Sequence, residues 1–413
     1  MTTTLAPVSD PPGRPAHRDP NVLRWLGGYA SSAIGDNVYY IALSWAAVQS
    51  GTPAQAGLVT AASALPRALL MLGGGVVADR YGPRRVVLSS TAARSALVLT
   101  AAVLLLVTSP GLWALGAVAV LFGVVDAVFL PAAGALPARI TDRSQLARVQ
   151  GMRGLATRLA NVLGGPLGGI GVALGGTAGA FGLAALLVGM SLPLLLTVRV
   201  GRPADGDRAG RRAVLGELRD GLRHIRQDPV LRPLVLAIAL SDLGFVGPMN
   251  LGLTLLAQQR HWGSSGMGWV LAGFGTGAGA ASLLLTWRGR VPRAAVVTAV
   301  ANLLSAVAVA ALAQVPSVPA AAGVAVLIGV SAGLAGALCG ALVQARAGAA
   351  YIGRVTSVST LVGFGVAPLT FPLVGAAVAL WGSGPVFAGC AAVSGLAGLV
   401  VLGVRDLRRA ELP

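Results

Sequence analysis

The sequence predicts an all-α integral membrane protein, twelve transmembrane helices arranged as two pseudo-symmetric six-helix halves, and three observations carry this. Of 413 residues, 55% are hydrophobic and 11% charged, with a mean hydropathy of +0.77, which is too oily for a soluble globular domain. Apolar stretches of the roughly 20 residues that a bilayer core requires recur along the whole chain. The basic residues between them fall in alternate loops.

The predicted spans are 22–48, 57–78, 86–107, 112–137, 152–174 and 178–198, then 232–256, 265–287, 294–314, 319–342, 355–380 and 384–404. Glycine (58 residues) and proline (24) are abundant inside them, as membrane helices tolerate when neighbouring helices satisfy freed backbone groups and small residues allow close packing. Residues 1–20 are polar and proline-rich with no signal-peptide pattern, and predict a disordered tail. The spans then group as 21–198 and 232–404, joined by a linker at 199–231 and followed by a tail at 405–413. In the linker Leu215, Leu218, Leu222 and Ile225 keep helical spacing, predicting an amphipathic helix with His224 on its solvated side and arginines free to meet anionic headgroups.

All 31 basic residues are arginine, and with 14 acids the formal net charge is +17. One set of loops holds Arg80, Arg84 and Arg85; Arg139, Arg143 and Arg148; Arg288, Arg290 and Arg293; and Arg346 and Arg354. The opposite loops hold Arg260 alone. Short cytoplasmic loops carry the basic excess, so both termini are expected in the cytoplasm of a cell-membrane protein. This topology accounts for the charge without nucleic acid.

The two halves match in register. Asp36 corresponds to Asp242 at an offset of 206, Arg148-Val149 to Arg354-Val355 at the same offset, Gly165-Pro166-Leu167 to Ala367-Pro368-Leu369 at 202, and the loop at Arg80 to that at Arg288 at 208. Such a repeat in a polytopic protein points to a secondary transporter with its site between the halves near the midplane.

GVVADRYGPRR, residues 75–85, resembles the loop signature of the major facilitator superfamily: Gly75, Asp79, Arg80, Gly82 and Arg84 match, Arg85 follows, and Pro83 replaces the first basic residue. NVLGGPLGGI, residues 161–170, resembles the superfamily's antiporter signature at Gly165, Pro166 and Gly169, with Asn161 and Ile170 in place of the outer glycines. A packing motif without directional meaning is the alternative reading of it. The wider texture is similar to the macrolide-efflux-like, drug:proton antiporter branch. That resemblance implies the major facilitator fold, alternating access, a monomer, and export of a small amphiphilic drug or metabolite driven by protons. It also implies that Asp79, near Arg354 and with Arg94 completing the network, gates the cytoplasmic side.

Counted along the predicted spans, Asp36 is the fifteenth of 27 residues, Asp126 the fifteenth of 26, Asp242 the eleventh of 25 and Arg67 the eleventh of 22. All four fall near the midplane, where a charge costs roughly 2.5 to 3.5 kcal/mol and so faces a cavity or a partner. Proton coupling needs a carboxyl that can gain and lose a proton. Asp36, with Ser32, Tyr39 and Tyr40 within a turn, is the principal candidate and Asp242 its counterpart. A static ion pair with Arg67 is the competing reading of Asp36. Ser32, Tyr39, Tyr40, Trp45, Ser241, Phe245, Trp269 and Phe274 are the candidate cavity residues, their aromatics suiting amphiphilic cargo.

The composition excludes several other chemistries. Gly329-Val330-Ser331-Ala332-Gly333 lacks the strand-turn-helix setting of a nucleophile elbow. The glycines at 273–279 lack a βαβ unit. A chain without lysine has no Walker sequence, so ATP is not the direct energy source. Cys339 and Cys390 have no metal or redox spacing, and neither an enzymatic activity, a cofactor nor a metal is expected. An importer or lipid flippase of the same fold, or a non-transporting sensor or scaffold, are the alternatives.

Overall fold

Proline at the first helical position costs no hydrogen bond, and Pro20, Pro53 and Pro83 open the first three long helices here. The computed structural model describes residues 15–108, 111–142, 145–200, 211–288, 291–404 and Leu407; within these, the side chains of some residues, Asp79 among them, lie outside the description. The helices are α1 (Pro20–Ser50), α2 (Pro53–Tyr81), α3 (Pro83–Val107) and α4 (Leu112–Ala135), followed by one turn at Pro137–Ile140. A continuous stretch, Leu146–Leu196, folds back at Gly175 and Gly176, the latter at φ +64°, which glycine alone adopts without strain. Its arms are α5 (146–174) and α6 (177–196). Next come α7 (Arg211–Gln227), α8 (Leu231–Gln259, with a π turn at Pro248–Gly252), α9 (Gly263–Arg288) and α10 (Ala294–Leu312). Val318–Trp381 folds back at Gly348, φ +69°, into α11 (318–347) and α12 (349–381), and α13 (Ser383–Gly403) ends the described helices.

Nine helices of the described residues are long and apolar enough to cross a membrane, one of them, Arg148–Leu196, containing the fold-back. The long helices α1 and α2 are outside that nine. The apolar run of α1 is diluted by Ser31, Ser32, Asp36 and Asn37, and of these Ser32, Asp36 and Asn37 belong to the site described below. Helices α1 to α6 pack chiefly on one another, as do α8 to α13.

The two groups meet along α2 with α12 and α5 with α9. A Cβ on Gly57 of α2 would stand 2.7 Å from the Phe371 carbonyl of α12, and one on Gly169 of α5 would stand 2.8 Å from that of Ser264 in α9. Ser44 of α1 bonds Thr254 of α8 at 2.9 Å. All these contacts lie toward the end of the bundle opposite the chain termini. The absent side chains at Gly57 and Gly169 let backbones approach, as in membrane helix packing generally.

Three expectations change. Residues 15–20 belong to the fold rather than to a disordered tail: Ala16–Arg18 form a 3-10 turn, Ala16 is buried and its N–H donates to Gln145 Oε1 at 2.9 Å, and Asp19 caps α1 through Asn21 N. Residues 1–14, Arg143, Arg290, the 201–210 part of the linker, and Arg405, Arg408 and Arg409 lie outside the described residues. In α7 it is Ile225 that is buried, while Leu222 is 42% exposed. His224 is partly buried rather than fully solvated, its ring stacking on Tyr351 of α12 at 4.2 Å between centroids. Gly221 lies against the Arg354 backbone of α12, and the side chains of Leu215 and Leu218 lie outside the description.

Candidate functional site: a buried ion network beside a cavity between the helix groups

At mid-height of the first six helices, four charged side chains from four helices converge. Arg94 of α3 is wholly buried. Its Nη1 donates to Asp36 Oδ2 of α1 at 2.7 Å and to Asp126 Oδ1 of α4 at 3.3 Å, and its Nη2 donates to Ser32 Oγ at 2.8 Å. Its guanidinium also lies 3.6 Å from the centroid of the Phe129 ring, a favourable cation–π position. The other oxygen of Asp126 is 3.5 Å from Arg67 Nη1 of α2, and that same nitrogen donates to Tyr40 OH at 2.8 Å. Two acids and two arginines make the cluster neutral, which is the condition for holding charges in an apolar bundle. Asp36 Oδ1 is buried without a hydrogen-bond partner.

Tyr40 leads from this network into a cavity of about 280 Å³ between the two helix groups. Small-molecule sites begin at roughly this size. Its wall takes Asn37 and Tyr40 from α1, Asn161 and Gly165 from α5, Phe245 and Asn250 from α8, Phe274 from α9 and Phe371 from α12. Asn37 Nδ2 bonds Asn161 Oδ1 at 3.2 Å.

The sequence-derived residues are not one site. Asp36, Asp126 and Arg67 do converge. Asp242 does not join them; it is half-buried in α8, with Oδ2 3.3 Å from where a Cβ on Gly363 of α12 would stand. Asp36 pairs with Arg94 rather than with Arg67, and Arg94, grouped from the sequence with the basic loop, is the centre of the buried network. As the twelfth of 25 residues in α3 it was open to the same depth argument as the others, and its loop-side assignment concealed that. Of the cavity candidates, Tyr40, Phe245 and Phe274 line the wall. Tyr39 is fully buried against Phe122, with ring centroids 3.8 Å apart, and Ser32 is consumed by Arg94. Trp45 is buried in the core. Ser241 bonds Asn302 of α10 at 3.3 Å. Trp269 is 66% exposed on the outer face of α9, because neighbouring Gly268 rather than the indole faces α5. Asn37 and Asn250, unnoticed in the sequence, carry polar groups on the wall; two amides within long apolar helices were the available signal.

In the loop signature, Gly82 sits at φ +86° between α2 and α3, a conformation that explains the glycine. Arg84 donates to the Leu196 carbonyl at the end of α6 at 2.7 Å, Arg80 lies over Tyr81, and Gly75 has open space around it. Arg85 lines an outer groove with Tyr81. Arg354 pairs with Asp220 of α7 at 3.8 Å. The Asp79 side chain lies outside the description. In the antiporter-like stretch, Gly165 and Gly169 abut Leu271 and Gly268 of α9, and Pro166 lies inside the helix between them, so this stretch forms the junction of the two groups.

An all-helical bundle crossing the membrane many times, with a cavity between two helix groups, defines a secondary transporter of the facilitator type. The chain belongs to the Major Facilitator Superfamily, whose family model matches residues 25–364, a family of transporters and not of enzymes. It is 28% identical over 406 residues to the multidrug efflux pump Tap of Mycobacterium tuberculosis (strain H37Rv), covering 92% of each chain. Among solved structures it is similar to one of proton dependent oligopeptide transporters (TM-score 0.71, 15% identity, 94% of this chain and 99% of that one). It is also similar to a bacterial homolog of the human lysosomal transporter Spinster in an inward-facing, unoccupied conformation (TM-score 0.65, 16% identity, 96% and 97%).

Proposed function

We propose that this transporter exports a small amphiphilic drug or metabolite across the cell membrane by proton-coupled alternating access, as a monomer with both termini in the cytoplasm. The observation that carries this is the bonded path from the cavity wall through Tyr40 to Arg67, Asp126, Arg94 and Asp36. A proton arriving on Asp36 competes with Arg94 for the carboxylate. Arg94 then shifts its charge toward Asp126, and the pull on Arg67 and Tyr40 changes at the cavity. Cargo and proton thereby act on one chain of contacts, which is what coupling requires.

The distribution of arginines supports the orientation. With it, the end where the two groups meet faces outward and the cavity is reached from the cytoplasm, the side from which an exporter loads. Similarity to an efflux pump supports the direction. The halves 21–198 and 232–404 would rock about the α2–α12 and α5–α9 contacts, with Asp79 and the arginines around Gly82 holding the cytoplasmic side when it closes.

The test is Asp36→Asn in inverted vesicles carrying a pH-sensitive dye and a cargo that wild type exports. Cargo-dependent proton movement is expected to disappear while the protein remains folded; undiminished proton movement at normal expression would sink the assignment.

A further inference from the structure

We infer that the cavity binds an uncharged amphiphile, an apolar ring-bearing body with hydrogen-bonding groups, in preference to a permanent cation. The inference rests on the transport reading above and narrows it to a cargo class.

No charged side chain stands on the cavity wall among the described residues. The nearby acids are engaged or off the wall: Asp36 is held by Arg94, Asp126 lies between two arginines, and Asp242 is not among the residues that line the cavity. A cation entering such a cavity would give up hydration without meeting a counter-charge, which is the costly half of ion burial. A neutral molecule gives up only groups that the wall can replace.

The wall offers such groups from both helix groups. Asn37 Nδ2 donates to the Ala33 carbonyl at 2.9 Å and to Asn161 Oδ1. That occupies both of its protons and leaves the Asn37 carbonyl and the Asn161 NH2 for a ligand. Across the cavity, Asn250 Nδ2 donates to the Val246 carbonyl at 2.8 Å, leaving its own side-chain carbonyl. Asn250 lies on the π turn Pro248–Gly252, whose wider helical turn brings Met249, Asn250 and Leu251 in succession onto the wall. Such turns recur at functional sites. Phe245 and Phe274, with ring centroids 5.8 Å apart, supply the apolar surface for a ring.

The experiment measures binding of two dyes to purified full-length protein in nanodiscs. Both share one boron-dipyrromethene core; one carries a hydroxyalkyl amide and the other a trimethylammonium group. The neutral dye should bind at least tenfold tighter. Asn161→Asp, and independently Asn250→Asp, should shift that ratio at least tenfold toward the cation, with folding checked by melting temperature. A wild type that binds the cationic dye as well or better, binds neither dye, or keeps its ratio in both folded variants overturns the inference. Export is read separately from gradient-dependent dye efflux. Efflux of the cationic dye alone would keep the export reading and discard this one, and binding of the neutral dye without gradient-driven efflux would do the reverse.

Discussion

In α1 a carboxylate, Asp36, is gripped at 2.7 Å by a fully buried arginine; in α8 its counterpart, Asp242, has no basic partner among the described residues. The difference is traceable to one position. Asn302 of α10 stands 208 residues after Arg94 of α3, the offset that also carries the Arg80 loop onto Arg288. Both are buried, and each bonds a serine of the adjoining first helix, Ser32 in one group and Ser241 in the other. The two groups thus share a scaffold and diverge in charge. The first accepts the desolvation of four charges and neutralises them mutually. The second replaces the cation by an amide and leaves its acid half-exposed. Buried ion pairs bring little net stability, so stability alone does not account for the network in the first group.

The largest effect that would break this comparison is expected at Arg94. Arg94→Ala leaves Asp36 and Asp126 buried beside each other without their shared cation, a change that costs about 3 to 5 kcal/mol. Melting temperature in detergent should fall steeply, with partial recovery in Arg94→Lys. A variant that melts with wild type would show that the network contributes nothing to the fold. The next effect is a difference in sign. Asp126→Asn removes a carboxylate from between two arginines and should destabilise by about 3 kcal/mol. Asp242→Asn removes a charge with no cation beside it among the described residues, and should be neutral or stabilising by about 1 kcal/mol, because an unpaired charge is a cost in an apolar bundle. Equal destabilisation by the two, in the same melting assay, would erase the distinction between the groups.

Much of this fold was legible in the sequence because apolar length, loop charge and a repeat each constrain it independently. The family, the helical membrane fold and three of the four network members followed from residue type and depth. The pairing did not follow. Depth along a helix is a one-dimensional coordinate, whereas the choice of Arg94 or Arg67 for Asp36 depends on how α1 and α3 are rotated about their axes. Rotation likewise separates Tyr40, which reaches the cavity, from Tyr39, one residue away and stacked on Phe122. It also sends Trp269 outward while Gly268 faces α5. Asn37 and Asn250 escaped notice because amides carry no charge and so violate no hydropathy rule strongly. Residues 15–20 were misjudged from composition, since proline-rich polarity cannot reveal a distant acceptor such as Gln145.

The smallest expected effect sharpens the comparison at the rim, where the second group has ion pairs that the middle of its bundle lacks among the described residues. Asp228, between α7 and α8, accepts the Val230 and Leu231 N–H groups at 2.8 and 2.9 Å and meets Arg346 Nε at 3.1 Å. Partial burial acts to raise its carboxyl pKa, but the two backbone donors and Arg346 outweigh that and hold it below the ordinary value. A carboxylate depressed in the folded state contributes stability that is fully present above the unfolded pKa of about 3.9. The contribution is then lost as pH falls through the lower, folded value. Arg346 is half-exposed, so solvent screening keeps the contribution under about 1 kcal/mol. Between about pH 5 and pH 3 the wild type should therefore lose slightly more melting temperature than Asp228→Asn, which has no proton to take up there. Identical slopes for the two proteins would remove Asp228 as an acid-sensitive tie, and a steeper slope in the variant would reverse the sign argued here.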